Sequence, residues 1–280
     1  MKFGLFGINM GPCVDPDAAR RVAQEAEACG FDSLWTGEHV VLPDPQAPPS
    51  PASPETPFLD PAVSLAYVAA HTKKVLLGTG IIILPQRNPL VLAKELASVD
   101  VVSNGRLLFG LGVGYLKPEF DALGIPFEDK GKRAMDYLAA MLAVWTQDKP
   151  AHAGPFTSFS GIQANPRPRQ RPHPPIVVGG HTPPALRRAV QHGNGWYGYA
   201  MDVDSATACI RGLRQAESRH GRPADLGKLE ISVTPRVRLD RDTVKRFADA
   251  GVDRLIPYRP RPTVDEILRD VRKLAEELIA

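Results

Sequence analysis

The chain has 280 residues, 43% of them apolar and 23% charged, values typical of a globular protein and far from those of a disordered or fibrous one. Its 34 basic residues nearly balance 31 acidic ones for a formal charge of +3, and no Lys/Arg run is interleaved with aromatics, which argues against nucleic acid as a partner. No apolar stretch nears the roughly 20 residues needed to span a bilayer, and Cys13, Cys29 and Cys209 are scattered without CxxC or metal-ligand spacing, so free thiols in a cytoplasmic protein are expected.

In chain order, Lys2 to Ile8 reads as a first strand, and Ala19, Val22, Ala23 and Ala26 form a helical stripe that ends at Gly30. Asp32 to Thr36 supplies a second strand, and a proline-rich segment from Pro43 to Pro57 leads to a helix over Ala62 to His71. Val75 to Leu84 is a third strand. Asn88 caps a helix with Pro89 at its first position, after which Leu92, Leu96, Val99 and Val102 recur at helical spacing until Asn104 and Gly105 stop them. Arg106 to Val113 is the fourth strand, followed by an irregular stretch, a helix from about Lys132 to Trp145, and a proline-rich connection from Pro150 to Pro175. Ile176 to Gly179, Gly195 to Ala200, Glu230 to Val233 and Asp253 to Pro257 complete the strands. Helices starting near Thr182, Ser205, Thr243 and Val264 alternate with them.

Strand and helix alternating through eight units is the repeat of a (β/α)8 TIM barrel, and one barrel domain over 1–280 accommodates this length. Prolines number 28, twice the usual share of about 5%. Their concentration in Pro43 to Pro61 and Pro166 to Pro184 predicts extended loops at the C-terminal face of the strands, where barrels place their sites.

Four stretches carry candidate chemistry. Glu38 and His39 follow the second strand; an imidazole can exchange a proton near neutrality and an adjacent carboxylate can set its tautomer, although a turn-capping histidine has the same sequence signature. LGTGIIIL places Thr79 and Gly80 in an apolar strand, which marks either a bulge against which a flat ring can rest or tight packing of a helix. FGLGVGY, with Gly112, Val113 and Gly114, fails as a dinucleotide fingerprint because Tyr115 stands where the third glycine belongs, but it offers backbone N–H groups at the mouth. IVVGGHTPPALRR puts Gly179, Gly180, His181 and Thr182 ahead of a helix, an anion site or an ordinary turn, and Arg187 and Arg188 early in that helix favour an anion. No HxH or HxxxE pattern accompanies His39, so no metal site is expected.

WTGEHVV at 35–41, LGTGIIILPQRNPLVLAKELASVD at 77–100, SNGRLLFGLGVGY at 103–115 and PPIVVGGHTPPALRRAV at 174–190 together resemble the bacterial luciferase-like oxidoreductases, most closely the deazaflavin branch, over nearly the whole chain. The resemblance implies a small-molecule enzyme using coenzyme F420, with FMN and a partner reductase as the alternative, or a catalytically silent flavin-binding barrel. It implies a ring resting on Gly80 and Ile81, at a bulge that in the family is often a cis peptide, and a phosphate held at Gly179 to Thr182. His39 would work near the reactive carbon, Glu38 would orient it, and Trp35, Tyr115 and Trp196 would wall the substrate pocket. A homodimer is the family expectation. This chain departs from the family with Glu38 where Asp is common and with Asn194 before Gly195 and Trp196.

Overall fold

The computed structural model describes residues 1–258 and 260–279. The strands, in order, are β1 (Lys2–Phe6), β2 (Ser33–Thr36), β3 (Leu76–Thr79), β4 (Ile82–Ile83), β5 (Leu107–Gly112), a small hairpin of β6 (His152–Ala153) and β7 (Ser158–Phe159), β8 (Ile176–Gly179), β9 (Gly195–Met201), β10 (Glu230–Pro235) and β11 (Arg254–Leu255). The helices are α1 (Pro16–Ala28), α2 (Pro61–His71), α3 (Pro89–Val102), α4 (Lys117–Ala122), α5 (Lys130–Thr146), α6 (Pro183–His192), α7 (Val203–His220), α8 (Arg241–Ala250) and α9 (Val264–Leu278).

All strand pairs outside the hairpin are parallel, and β3 and β4 both pair with β5, so they form two halves of one barrel position and the sheet closes as an eight-stranded (β/α)8 barrel. The single strand expected over Val75 to Leu84 is therefore interrupted. Its ladder stops at Thr79 and resumes at Ile82, with a cis peptide between Gly80 and Ile81.

Two apolar layers hold the barrel. The larger packs the outward strand residues, such as Leu34, Leu77 and Phe109, against helix stripes such as Val22, Leu96 and Leu186. The smaller fills the interior with Phe6, Trp35, Leu108, Val177, Tyr197 and Ile256. Trp35 and Tyr197 stack there at 5.7 Å with their rings 16° apart. A Cβ on Gly78 would lie 2.5 Å from the Trp35 indole, so the strand glycine makes room for the protein's own ring.

The two proline-rich segments go to opposite ends. Residues 43–57 follow β2 and lie at the C-terminal face as expected. Residues 166–175 instead run to the start of β8, where the Gln170 amide donates to Asp100 Oδ1 (2.7 Å) and to the Leu107 carbonyl (2.8 Å). That part of the second segment is a brace at the N-terminal end of the strands, which corrects its placement at the mouth, whereas Pro183 and Pro184 open α6 beyond β8 at the C-terminal face as expected. The 150–175 connection also contains the β6–β7 hairpin, and α4 fills part of the stretch that appeared irregular. Among the described residues, no helix is long and apolar enough to cross a membrane.

Candidate active site at the barrel mouth

His39 stands just beyond β2, with its side chain only 9% exposed. Phe58 meets the imidazole edge-on at 5.6 Å between centroids and Tyr115 does so at 6.3 Å, joining the loop after β2 to the end of β5. The backbone beneath is clamped by buried Asn9, whose amide donates to the Gly37 and Leu59 carbonyls (2.9 and 2.7 Å) and whose Oδ1 accepts the Gly37 N–H (2.9 Å). Phe6, Tyr199 and Tyr258 continue the aromatic wall, with Phe6 5.4 Å from Tyr199 and 5.3 Å from Tyr258. Burial pushes the Tyr199 phenol up to about 12, with Tyr258 and Tyr115 adding to the effect.

Glu38 does not orient His39. Its carboxylate accepts from the Ile83 N–H and from Arg87 through Nε (2.8 Å) and Nη2. Arg87 also reaches Asp60 at 2.7 Å, the residue that caps α2. Burial pushes the Glu38 carboxyl up, and Arg87 and the Ile83 N–H pull it back. The side chain therefore ties β4 to the end of the proline-rich loop, because successive residues leaving a strand point apart and only His39 faces the mouth. The carboxylate that meets the imidazole is Glu119 of α4, with Oε2 3.4 Å from His39 Nδ1 and Oε1 accepting the Val40 N–H at 2.6 Å. Sequence inspection missed it, since 80 residues separate the pair.

Several residues expected to touch a cofactor serve packing instead. Thr79 Oγ1 donates to the Gly110 carbonyl (2.7 Å) and accepts the Gly110 N–H (2.8 Å), so its buried hydroxyl is used where the β3 ladder stops. A Cβ on Gly112 would come within 2.4 Å of Ile81, and one on Gly114, which has φ +75, within 2.7 Å of Ile83 and Phe120. The glycines around Val113 thus admit side chains from the interrupted strand rather than leaving open space. Gly179 faces Ile81 in the same way, at 3.0 Å. Gly80 and Ile81 themselves are partly exposed at the mouth. Gly80 is confined by the Thr36 carbonyl, which a Cβ would meet at 2.9 Å.

Of the pocket walls expected from sequence, only Tyr115 is exposed, at 49%. Trp35 lies in the interior layer. Trp196, fully buried, points into the outer layer and donates Nε1–H to the Gly180 carbonyl at 2.8 Å, bracing the turn from behind.

That turn has an unusual donor set. Gly180 adopts φ +119, a conformation that favours glycine, and a Cβ there would lie 2.9 Å from Ala185 Cβ. Pro183 and Pro184 remove two of the helix's free N–H groups, and those of Ala185 and Leu186 both donate to the Thr182 carbonyl. The first amides of α6 are therefore not available to an anion. What remains among the described residues are the N–H groups of His181 and Thr182, without partners, and the Thr182 hydroxyl, which makes no capping bond. His181 Nε2 accepts the Tyr199 N–H at 3.2 Å, and burial pushes its imidazole below the ordinary histidine value. An open cleft of about 680 Å³ continues outward from Tyr199 and Tyr258 past Arg236, Arg238 and Arg261.

The family model described as luciferase-like monooxygenase matches residues 2–276. Over 289 aligned positions the chain is 28% identical to an uncharacterized protein of Mycobacterium tuberculosis, covering 99% of each. It is 33% identical over 202 residues to the oxygenase component of the flavin-dependent trigonelline monooxygenase of Acinetobacter baylyi, covering 69% of this chain and 52% of that protein. In three dimensions it resembles an F420-dependent secondary alcohol dehydrogenase in complex with an F420–acetone adduct, with TM-score 0.79 and 16% identity over 99% of this chain and 98% of the other.

Proposed function

The chain belongs to the luciferase-like monooxygenase family, whose members include F420-dependent and FMN-dependent enzymes, and on that premise we propose that it is an oxidoreductase using coenzyme F420 to move hydride to or from a small organic substrate. The observation that carries the reading is His39, an imidazole set in an aromatic mouth just past β2, whose paired neighbour β3 leads into the partly exposed Gly80–Ile81 step. The residues present fit such a cofactor. Thr182 Oγ1 and the His181 and Thr182 N–H groups would take the phosphate, Gly80 and Ile81 would lie beneath the ring, and His181 and Trp196 fix the turn between them.

When bound, the deazaflavin supplies hydride chemistry at a ring carbon, and the rest is the protein's part. His39 would exchange a proton with the bound substrate. Tyr115, Tyr199 and Phe58 exclude water from the reacting atoms, which strengthens each polar contact there. Free cysteines at Cys13, Cys29 and Cys209 fit a cytoplasmic setting. A homodimer belongs to this reading as the family expectation.

A second reading, an FMN-dependent monooxygenase fed by a partner reductase, is favoured by the 33% identity to the trigonelline enzyme. Equilibrium titration with F420 and FMN side by side, followed by stopped-flow reoxidation with and without oxygen, separates the two. Binding of F420 with oxygen-independent turnover is the expected result. Submicromolar FMN binding with oxygen-dependent reoxidation, and no F420 binding, reverses the assignment.

A further inference from the structure

The Glu119 side chain is 0% exposed, and a carboxylate so enclosed needs hydrogen-bond donors on both oxygens. Oε1 receives the Val40 N–H, and Oε2 faces His39 Nδ1. Among the described residues no cation pairs with this carboxylate, so the donor on the Oε2 side is the imidazole. From this contact we infer that Glu119 is the positioning residue that fixes His39 as its Nδ1–H tautomer, leaving Nε2 bare on the far side of the ring to accept the substrate's proton. A neutral imidazole donates from one nitrogen and accepts at the other, so the carboxylate that claims Nδ1–H decides which atom does the chemistry.

Two features make Glu119 suited to this. Because the same carboxylate holds the Val40 N–H, it fixes both the ring and the backbone that carries it. Its own position comes from α4, a helix that starts directly after the Tyr115 and Leu116 turn, so the contact joins the ends of β2 and β5 across the mouth. Burial and the nearby Glu119 carboxylate push the Tyr115 phenol above its ordinary value.

The inference rests on His39 being the proton carrier, yet the tautomer itself is read without cofactor or substrate. In protein labelled with ¹⁵N-histidine, long-range ¹H–¹⁵N correlation reads the tautomer of each neutral imidazole, and His39→Gln assigns the signal. The wild-type protein is expected to show His39 as a single Nδ1–H species. In Glu119→Gln the Val40 N–H still claims the amide oxygen, so the amide NH₂ is left facing Nδ1 and the tautomer switches to Nε2–H, whereas Glu119→Asp retains Nδ1–H. Turnover in Glu119→Gln then falls roughly 100-fold with the cofactor Kd unchanged, and Glu119→Asp recovers part of it. An Nε2–H signal in the wild-type protein, or a tautomer indifferent to Glu119→Gln, overturns the inference whatever cofactor is used. A switched tautomer with undiminished turnover overturns the positioning role. Absence of wild-type turnover with F420 and with FMN counts against the proposed function, and the spectrum still decides the tautomer.

Discussion

The two ends of the barrel handle polar groups in opposite ways. At the N-terminal end, Arg254 of β11 is 1% exposed, and its guanidinium donates to Asp32 (2.8 Å), to Glu230 and to Ser232 (3.3 Å) beneath Trp35. Arg106 donates to the carbonyls of Ala69, Thr72, Val75 and Ser103 and to the Thr72 hydroxyl. At the C-terminal end, among the described residues, the hydroxyls of Tyr115, Tyr199 and Tyr258 and the amides of His181 and Thr182 have no protein partner, although Glu38, Arg87 and Asn9 beside them are fully engaged. Most of these unmet groups are exposed, so water serves them until a ligand arrives, whereas leaving a buried group such as Arg254 without partners would cost about 1–3 kcal/mol or more. The internally paired polar network therefore lies at one end, and the unmet donors are left where a ligand can meet them.

The largest expected effect tests the stable end. Arg254→Met leaves Asp32 and Glu230 without their shared cation and should lower unfolding free energy by about 3 kcal/mol, the low end of the scale for breaking a buried ion pair because Lys2 stays on Glu230 and both acids reach solvent. Urea unfolding measures it, and cofactor affinity should be unchanged in the fraction that remains folded. A loss below about 1 kcal/mol would make the lower end no more stabilising than an exposed salt bridge.

His39→Asn, whose amide can still donate to the buried Glu119 carboxylate, is the converse. Turnover should drop roughly 100-fold, about 2.7 kcal/mol in the barrier, with melting temperature and cofactor Kd nearly unchanged. Steady-state kinetics beside a thermal melt would break the division between the two ends if stability fell along with rate.

Thr182→Val sharpens the assignment of the phosphate. Because the hydroxyl makes no capping bond, stability should hold while cofactor affinity weakens by about 1 kcal/mol, roughly fivefold, the usual worth of one hydrogen bond. Calorimetric titration reads this directly, and an unchanged Kd would send the phosphate elsewhere on the mouth.

The smallest effect concerns pH. Burial holds the His181 imidazole below its ordinary value, so the native state binds fewer protons than the unfolded chain as pH falls through about 6.5. Stability present at neutral pH is therefore lost on acidification, and protonation also removes the acceptor for the Tyr199 N–H. His181→Gln should flatten the fall in melting temperature between pH 7 and 5. An identical slope in both proteins would place the acid-sensitive group outside the mouth.

Local rules made much of the scaffold legible. Asp15, Asp60, Asn88 and Asp240 each accept backbone N–H groups at a helix start, and Pro16, Pro61 and Pro89 follow three of them. The apolar strand runs needed helices on their outer faces, so alternation alone pointed to a closed parallel barrel. His39 was legible too, because a titratable residue just past a barrel strand lies at the face where side chains converge.

Composition and spacing could not say which neighbour a glycine or carboxylate serves. Gly78, Gly112 and Gly179 carry the same signature whether they admit a cofactor ring or the protein's own Trp35 and Ile81, and only the packed structure distinguishes the two. Glu38 is adjacent to His39 in sequence but faces Arg87, since the chain turns each successive residue away from the last. Glu119 reaches His39 only because β2 and β5 end at the same mouth with α4 folded over it. The sequence by itself determined the repeat, the caps and the imidazole at the strand end, because those depend on contacts within a few residues. The partners of that imidazole and the donors left free for a ligand depend on barrel closure, and tertiary structure alone decided them.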